Sequence, residues 1–98
     1  MSKVIAIKNT IKIAPFVAPY TLGLRQGRNE RYFTGWCPFH QPSKGLRRQF
    51  WVDSRMGLCN CFNPRCAAPL PMDVINFYAR VKGIALHEAI EELWEQVK

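Results

Sequence analysis

A chain of 98 residues with 48% hydrophobic side chains is long enough for one small domain and too apolar to be intrinsically disordered. Its 14 Lys and Arg side chains outnumber its 7 Asp and Glu, so the net charge of +7 favours a polyanionic partner. No apolar run reaches the ~18 residues of a membrane span, and the run after Lys3 is too short for a secretory signal. We therefore expect a cytoplasmic protein with no membrane partner.

The basic charge is concentrated in the first part of the chain. Residues 1–70 carry 11 basic and two acidic side chains, whereas residues 71–98 carry three basic and five acidic ones. Such a separation favours a polyanion as the partner of the basic part. The alternative is a basic surface that is only solvated.

The first 21 residues have conflicting signals. Isoleucines alternate with other residues between Ile5 and Ile13, as in a strand, but Pro15 and Pro19 interrupt any regular element. We predict one short strand or helix here.

The middle of the chain, residues 22–68, has the signals of short strands joined by turns. Strand formers are concentrated in residues 31–36, 49–53 and 58–62, and turn residues in 27–29 and 54–57. The pattern predicts a small antiparallel sheet.

Residues 71–98 predict a pair of helices. The first runs over 72–81, with Pro71 and Asp73 near its start and Gly83 after its end. The second has the clearest periodicity in the chain, with glutamates on its polar face and His87 at the surface. Its predicted core side chains are Leu86, Ala89, Ile90, Leu93 and Val97.

Two short motifs have the spacing of a tetrahedral zinc site. Two residues separate Cys37 from His40, and four separate Cys61 from Cys66. The segment between the motifs is about as long as a β-hairpin needs to bring them together. Four protein ligands leave no position for water, so the zinc would be structural and would stabilise a sheet too small to fold alone.

Cys59 is the remaining cysteine. Only Asn60 separates it from Cys61, and two thiols this close make a poor pair of ligands for one tetrahedral ion. We expect Cys59 to be a buried small hydrophobe or a neighbour of the site. Two alternatives stay open at this point: Cys59 in place of Cys61 as a ligand, and a disulfide or redox role.

Basic and aromatic side chains near the predicted strands are candidates for binding a single strand, through phosphate contacts and base stacking. Strand alternation buries Phe50 and Val52 and leaves Trp51 exposed for stacking, although core packing is an alternative for Trp51. The candidate residues are Arg28, Arg31, Lys44, Arg47, Arg48, Trp51 and Arg55.

These motifs resemble the N-terminal zinc-binding domain of DnaG-type bacterial and phage DNA primases. The resemblance rests on the Cys-Pro-Phe-His knuckle at 37–40, Cys61-Phe62 with a second cysteine, and the run Asp-Val-Ile-Asn-Phe at 73–77. The chain departs from that family in its longer second knuckle and in Pro69-Leu70-Pro71-Met72, which replaces a Gly-Gly pair. These departures indicate a divergent member from a phage, plasmid or other mobile element.

The resemblance implies an α+β fold in a single domain over 1–98. A zinc ribbon over 22–68 would bind one structural zinc, and a helical pair would follow over 71–98. It also implies a template-recognition module that binds single-stranded DNA in replication. The chain has no cluster of carboxylates suited to two metal ions, so we expect no polymerase activity from it.

Two further functional hypotheses remain at this stage. One is a protein-interaction adaptor that uses the zinc ribbon to dock a primase, polymerase or helicase. The other is a thiol redox protein based on Cys59 and Cys61.

Overall fold

The computed structural model describes residues 2–39, 49–62 and 71–98. Four strands form one antiparallel sheet in the order β1-β2-β3-β4, and the helices complete an α+β fold, as predicted. The strands are β1 (Arg25–Gln26), β2 (Tyr32–Gly35), β3 (Phe50–Asp53) and β4 (Leu58–Cys61). The helices are α1 (Lys3–Thr10), α2 (Ile13–Val17), α3 (Val74–Lys82) and α4 (Leu86–Val97), and a 3-10 turn follows α2 at Ala18–Tyr20.

The N-terminal segment is helical, which decides between the two predictions for it. The Ser2 hydroxyl caps α1 by accepting a hydrogen bond from the backbone N–H of Ile5 at 3.1 Å. Pro15 fits α2 because it lies in the first turn, where a backbone N–H has no helical partner. α1 packs against α4, and α2 packs against α3 and β3, so this segment closes the core with fully buried Ile7 and Val17.

The strand register separates the sheet into an inner face and an outer face. Phe33, Val52 and Cys59 are cross-strand neighbours on the inner face, which packs in the core. Phe50 and Val52 are completely buried, as the alternation of β3 predicts. The next row, on the outer face, is Arg25, Thr34, Trp51 and Asn60.

The start of α3 differs from the sequence prediction by two residues. Asp73 has an extended backbone and caps the helix, because its carboxylate accepts from the N–H of Asn76 at 2.8 Å. Met72 lies outside the helix and bridges to Cys59 through two backbone hydrogen bonds of 2.8 Å. Gly83 ends α3 in the left-handed conformation, with φ of 66°, as predicted.

Helix α4 contributes to the core through fewer residues than its periodicity predicts. Ala89 and Leu93 are buried, and Ile90 and Val97 pack at the edge of the core. The prediction for Leu86 is wrong: it is 50% exposed, because at the first position of α4 it lines an open surface cavity beside α3 instead of entering the core. His87 is exposed, as expected.

An aromatic cluster joins the sheet to the helices. The ring of Phe77 on α3 lies 5.5 Å from Phe39 and 6.0 Å from Phe50, measured between centroids. Phe16 and Tyr20 from the N-terminal helices approach the same ring at 6.3 and 5.7 Å. Such contacts add directional packing to the burial of apolar area.

Across the three described ranges, no helix has the length and apolar character to cross a membrane.

Candidate metal centre and nucleic-acid interface

Two of the predicted zinc ligands lie at the same end of the sheet. Cys61 ends β4 and pairs with Phe50, which in turn pairs with Gly35 of β2. Cys37 follows Gly35 by two residues. The Cys37 and Cys61 residues are 6% and 4% exposed, and both belong to the core cluster. At this end the backbone N–H of Phe62 also donates to the Gln49 carbonyl at 2.8 Å, which extends the pairing of β3 with β4. Both predicted knuckles therefore begin at one end of the sheet.

The turn after Cys37 has the chemistry of a metal knuckle. The backbone N–H of Phe39 donates to the Cys37 Sγ at 3.4 Å, and such a donor stabilises the thiolate that zinc requires. The Phe39 ring packs on Phe50 and Phe77, so the core fixes the direction of the turn. Two buried thiols, one with a backbone donor, fit the soft, nearly dehydrated site that a structural zinc occupies.

The other two predicted ligands, His40 and Cys66, lie outside the described residues. Within the ranges that the structure describes, no three His, Cys, Asp or Glu side chains form a cluster suited to a metal. This is consistent with a site for which the described chain supplies only Cys37 and Cys61. The assignment of all four ligands stays a prediction.

Cys59 occupies a different environment from Cys61. Its thiol is completely buried and donates to the Met72 carbonyl at 3.6 Å, beneath the bridge between those residues. Burial, aided by the nearby charge of Asp73, raises the pKa of the Cys59 thiol to about 12. The geometry agrees with the expectation of a buried small hydrophobe, since Cys59 packs inside the core rather than at the end of the sheet.

The outer face of the sheet carries a shallow aromatic groove of about 430 Å³. Among the described residues its lining comes only from the strands β2 and β3 and from Phe62. Trp51 is half-buried rather than fully exposed, because Phe62 packs on its ring at 5.9 Å with a 30° tilt. Phe62 and Tyr32 are 67% and 42% exposed. The groove therefore exposes aromatic side chains to solvent.

Two neighbouring residues of the outer row each have a buried polar side-chain atom. Trp51 Nε1 and Asn60 Oδ1 have no hydrogen-bond partner within the described part of the chain, and the two residues are cross-strand neighbours. A donor and an acceptor left unsatisfied carry a cost of about 1–3 kcal/mol each. Trp51 lines the groove, whereas Asn60 is not among its lining residues.

The predicted DNA-contacting cations have different surroundings. Arg28 and Arg55 are exposed and have no ion-pair partner among the described residues, whereas Arg31 forms a bidentate ion pair with Asp53. The hydrogen bond from Arg31 is the main cause that lowers the pKa of Asp53, and the same bond raises the pKa of Arg31. Lys44, Arg47 and Arg48 lie outside the described residues.

Sequence reasoning missed one cation of the outer face. Arg25 lies on the two-residue strand β1, where it pairs with Thr34 in the same row as Trp51. The segment is too short to have the alternation of a strand, so no local pattern predicts its orientation. Only the cross-strand register places Arg25 beside the groove.

A sheet whose end gathers cysteine knuckles, backed by helices, defines the zinc-ribbon class of small domains. The family model described as the CHC2 zinc finger, a zinc ribbon of DnaG, matches residues 1–98, and the chain belongs to this family. Membership implies one structural zinc, in agreement with the prediction. The resemblance to primase zinc-binding domains is thereby confirmed.

Curated relatives include the DNA primases of Staphylococcus aureus strains COL and MRSA252. Each is 30% identical over 91 residues, which are 93% of this chain and 14% of the primase. Among solved structures, the Aquifex aeolicus primase, with zinc-binding and RNA polymerase domains, superposes with a TM-score of 0.78 and 23% identity. That match covers 99% of this chain and 22% of the other. The chain thus spans a small part of the proteins that it resembles.

Proposed function

We propose that this zinc ribbon is a non-catalytic template-recognition module that binds single-stranded DNA in replication through the outer face of its sheet. The observation that carries the proposal is the aromatic groove on that face, which presents Tyr32, Trp51 and Phe62. Bases stack on such rings regardless of sequence, at about 1–3 kcal/mol per base.

The charge around the groove supports the same proposal. Arg25 lies in the outer row, Arg28 lies in the turn between β1 and β2, and Arg55 lies in the turn that follows β3. Cations beside stacking rings allow a strand to place its bases on the sheet and its phosphates at the rim. Arg31 contributes by packing over Tyr32, with its guanidinium carbon 5.0 Å from the ring centroid.

The proposal assigns zinc to Cys37, His40, Cys61 and Cys66, and gives the metal a structural role. A zinc that closes both knuckles would hold the ends of β2, β3 and β4 together and so keep the groove in shape. Nucleotidyl transfer would belong to another domain or another protein, since the primases that match this chain are several times longer.

The test is fluorescence anisotropy of the zinc-loaded protein with labelled single-stranded and duplex DNA of equal length, across a salt series. We expect preference for the single strand and affinity that falls steeply with salt. Absence of binding at low salt, in protein shown to contain one zinc per chain, would overturn the proposal.

Matched variants separate stacking from charge. Trp51→Ala should weaken binding about tenfold or more with little change in the salt slope, because it removes a ring and no charge. Arg47→Gln with Arg48→Gln should lower the salt slope. Lys98→Gln removes one charge from an exposed pair on α4 and serves as the control that leaves binding unchanged.

The apolar lining of the groove also favours a second candidate, an adaptor that docks a replication protein. An apolar peptide surface would bury Phe62, which is 67% exposed. Co-purification of a protein partner that survives nuclease, is lost in Phe62→Ser and is retained in Arg47→Gln with Arg48→Gln would identify the adaptor function.

A further inference from the structure

A cationic notch lies at the opposite end of the sheet from the predicted zinc ligands. It is a cavity of about 280 Å³ between the junction of α1 with α2 and the turn that joins β3 to β4. Its lining includes Lys8, Lys12 and Arg55 and, among the described residues, no carboxylate. Cations that line one cavity attract an anionic ligand.

The contacts of each cation show which charges are already balanced. Lys8 lies in the last turn of α1, where a cation is favourable, and its Nζ lies 3.2 Å from Asp73 Oδ2. Lys12 and Arg55 have no ion-pair partner within the described part of the chain, and both are exposed. The fold therefore brings two uncompensated cations, 43 positions apart in sequence, to one cavity.

Most neutral hydrogen-bond donors of the notch already donate to other groups of the protein. The Ser54 hydroxyl donates to the Arg31 carbonyl at 2.8 Å, and the N–H groups of Arg55 and Met56 donate to Asp53 Oδ1. Ligand binding thus depends on the Lys12 ammonium, the Arg55 guanidinium and the Asn9 amide. Multiple donors around a cavity suit a ligand with several charged oxygens.

From these contacts we propose that the notch binds phosphate groups, with Lys12 and Arg55 as the principal ligands and Lys8 as a supporting charge. No described residue lines both the notch and the aromatic groove, although Arg55 is also one of the proposed DNA-contacting cations. Its phosphate comes either from the backbone of a bound strand or from a free phosphate compound such as a triphosphate. The N-terminal helices thereby gain a binding role in addition to closing the core.

The direct test is titration of the zinc-loaded, isotope-labelled protein with sodium tripolyphosphate, monitored through backbone amide chemical shifts. We expect saturable shifts at Asn9, Lys12 and residues 54–57, with the resonances of Thr34 and Asn60 unmoved. Lys12→Gln with Arg55→Gln should weaken binding about tenfold or more, while Lys98→Gln binds as the wild type does. Each single variant should give part of the loss, and equal melting temperatures and zinc contents show that the fold is kept.

Further measurements distinguish a phosphate of a bound strand from a free phosphate compound. They also compare phosphate with a carboxylate ligand. If strand phosphates occupy the notch, Lys12→Gln, which leaves Arg55 in place, lowers the salt slope for oligo-dT by about 0.7 for each phosphate that is no longer neutralised, and tripolyphosphate competes with the strand. If the ligand is a free phosphate compound, Lys12→Gln leaves the oligo-dT slope unchanged while it weakens tripolyphosphate binding. The proposal is overturned if the double variant binds tripolyphosphate normally, or if poly-glutamate binds the notch as tightly as tripolyphosphate does.

Discussion

Arg31 and Asp53 form a bidentate ion pair across β2 and β3, with Nε–Oδ1 and Nη2–Oδ2 distances of 2.9 Å each. The same carboxylate accepts from the backbone N–H groups of Arg55 and Met56 at 3.1 Å. One side chain thus anchors the start of β2 and shapes the turn after β3. Arg31 is consequently a structural residue as well as a candidate DNA contact.

Replacing the carboxylate should destabilise the fold. Asp53→Ala should lower the free energy of unfolding by about 1–3 kcal/mol, because two turn amides and a guanidinium lose their acceptor. Urea denaturation of the zinc-loaded protein measures the change. Glu95→Gln, which removes an exposed carboxylate paired with Lys98, should change stability by less than ~0.5 kcal/mol. Equal effects of the two substitutions would show that the turn does not depend on Asp53.

The pair of Tyr78 and Glu92 predicts a pH dependence in the alkaline range. The Tyr78 hydroxyl donates to Glu92 Oε1 at 2.7 Å, and this bond, with burial and the Glu92 charge, raises the pKa of Tyr78 from 10.0 to about 12. A raised pKa in the folded state means that the stabilisation is fully present below the unfolded value. It is lost as pH rises from 10 to about 12.

Tyrosinate absorbance during a pH titration should therefore show a late step from Tyr78, and Tyr78→Phe should remove it. The stability difference between wild type and Tyr78→Phe should shrink over the same pH interval. Glu92→Gln keeps an acceptor without the charge, so the late step should move to lower pH. An unchanged step in Tyr78→Phe would contradict the assignment.

The effect of replacing a cysteine on zinc content should depend on where that cysteine lies in the fold. Cys61→Ser and Cys37→Ser should reduce zinc content well below one per chain and melt the domain at lower temperature, because a structural site contributes directly to folding. Cys59→Ala should keep one zinc and cost about 1 kcal/mol, as a small core truncation does. Metal analysis on folded samples decides the outcome, and loss of zinc in Cys59→Ala would exchange the roles of Cys59 and Cys61.

Gly35 should resist substitution because of close packing rather than backbone conformation. A Cβ at this position would lie 2.8 Å from the Thr21 methyl, 3.1 Å from Leu24 Cα and 3.2 Å from the Leu22 carbonyl oxygen. Gly35→Ala should cost about 1–3 kcal/mol in unfolding free energy. Adding Thr21→Ser removes the methyl contact and keeps a hydroxyl for the Val17 carbonyl, so it should restore part of the loss. A loss that is unchanged in the double variant would place the strain at the backbone contacts.

The sequence by itself determined the features that depend on near neighbours along the chain. The knuckle of Cys37, the strands around Phe50 and Cys61, and the stop of α3 at Gly83 follow from spacing, alternation and glycine conformation. The family and its structural zinc could be recognised from these local motifs, and the family match confirms both. The ligand set that includes His40 and Cys66 stays a prediction, as does the division at residues 22–68 and 71–98.

The tertiary structure alone decided what depends on residues far apart in sequence. It placed Arg25 beside Trp51, paired Arg31 with Asp53, and brought Lys12 to Arg55. It also folded the N-terminal segment into helices against α4, although its prolines obscured any local pattern. The physical reason is that cross-strand register and helix packing are set by which apolar faces bury one another, and that choice is made by the whole chain.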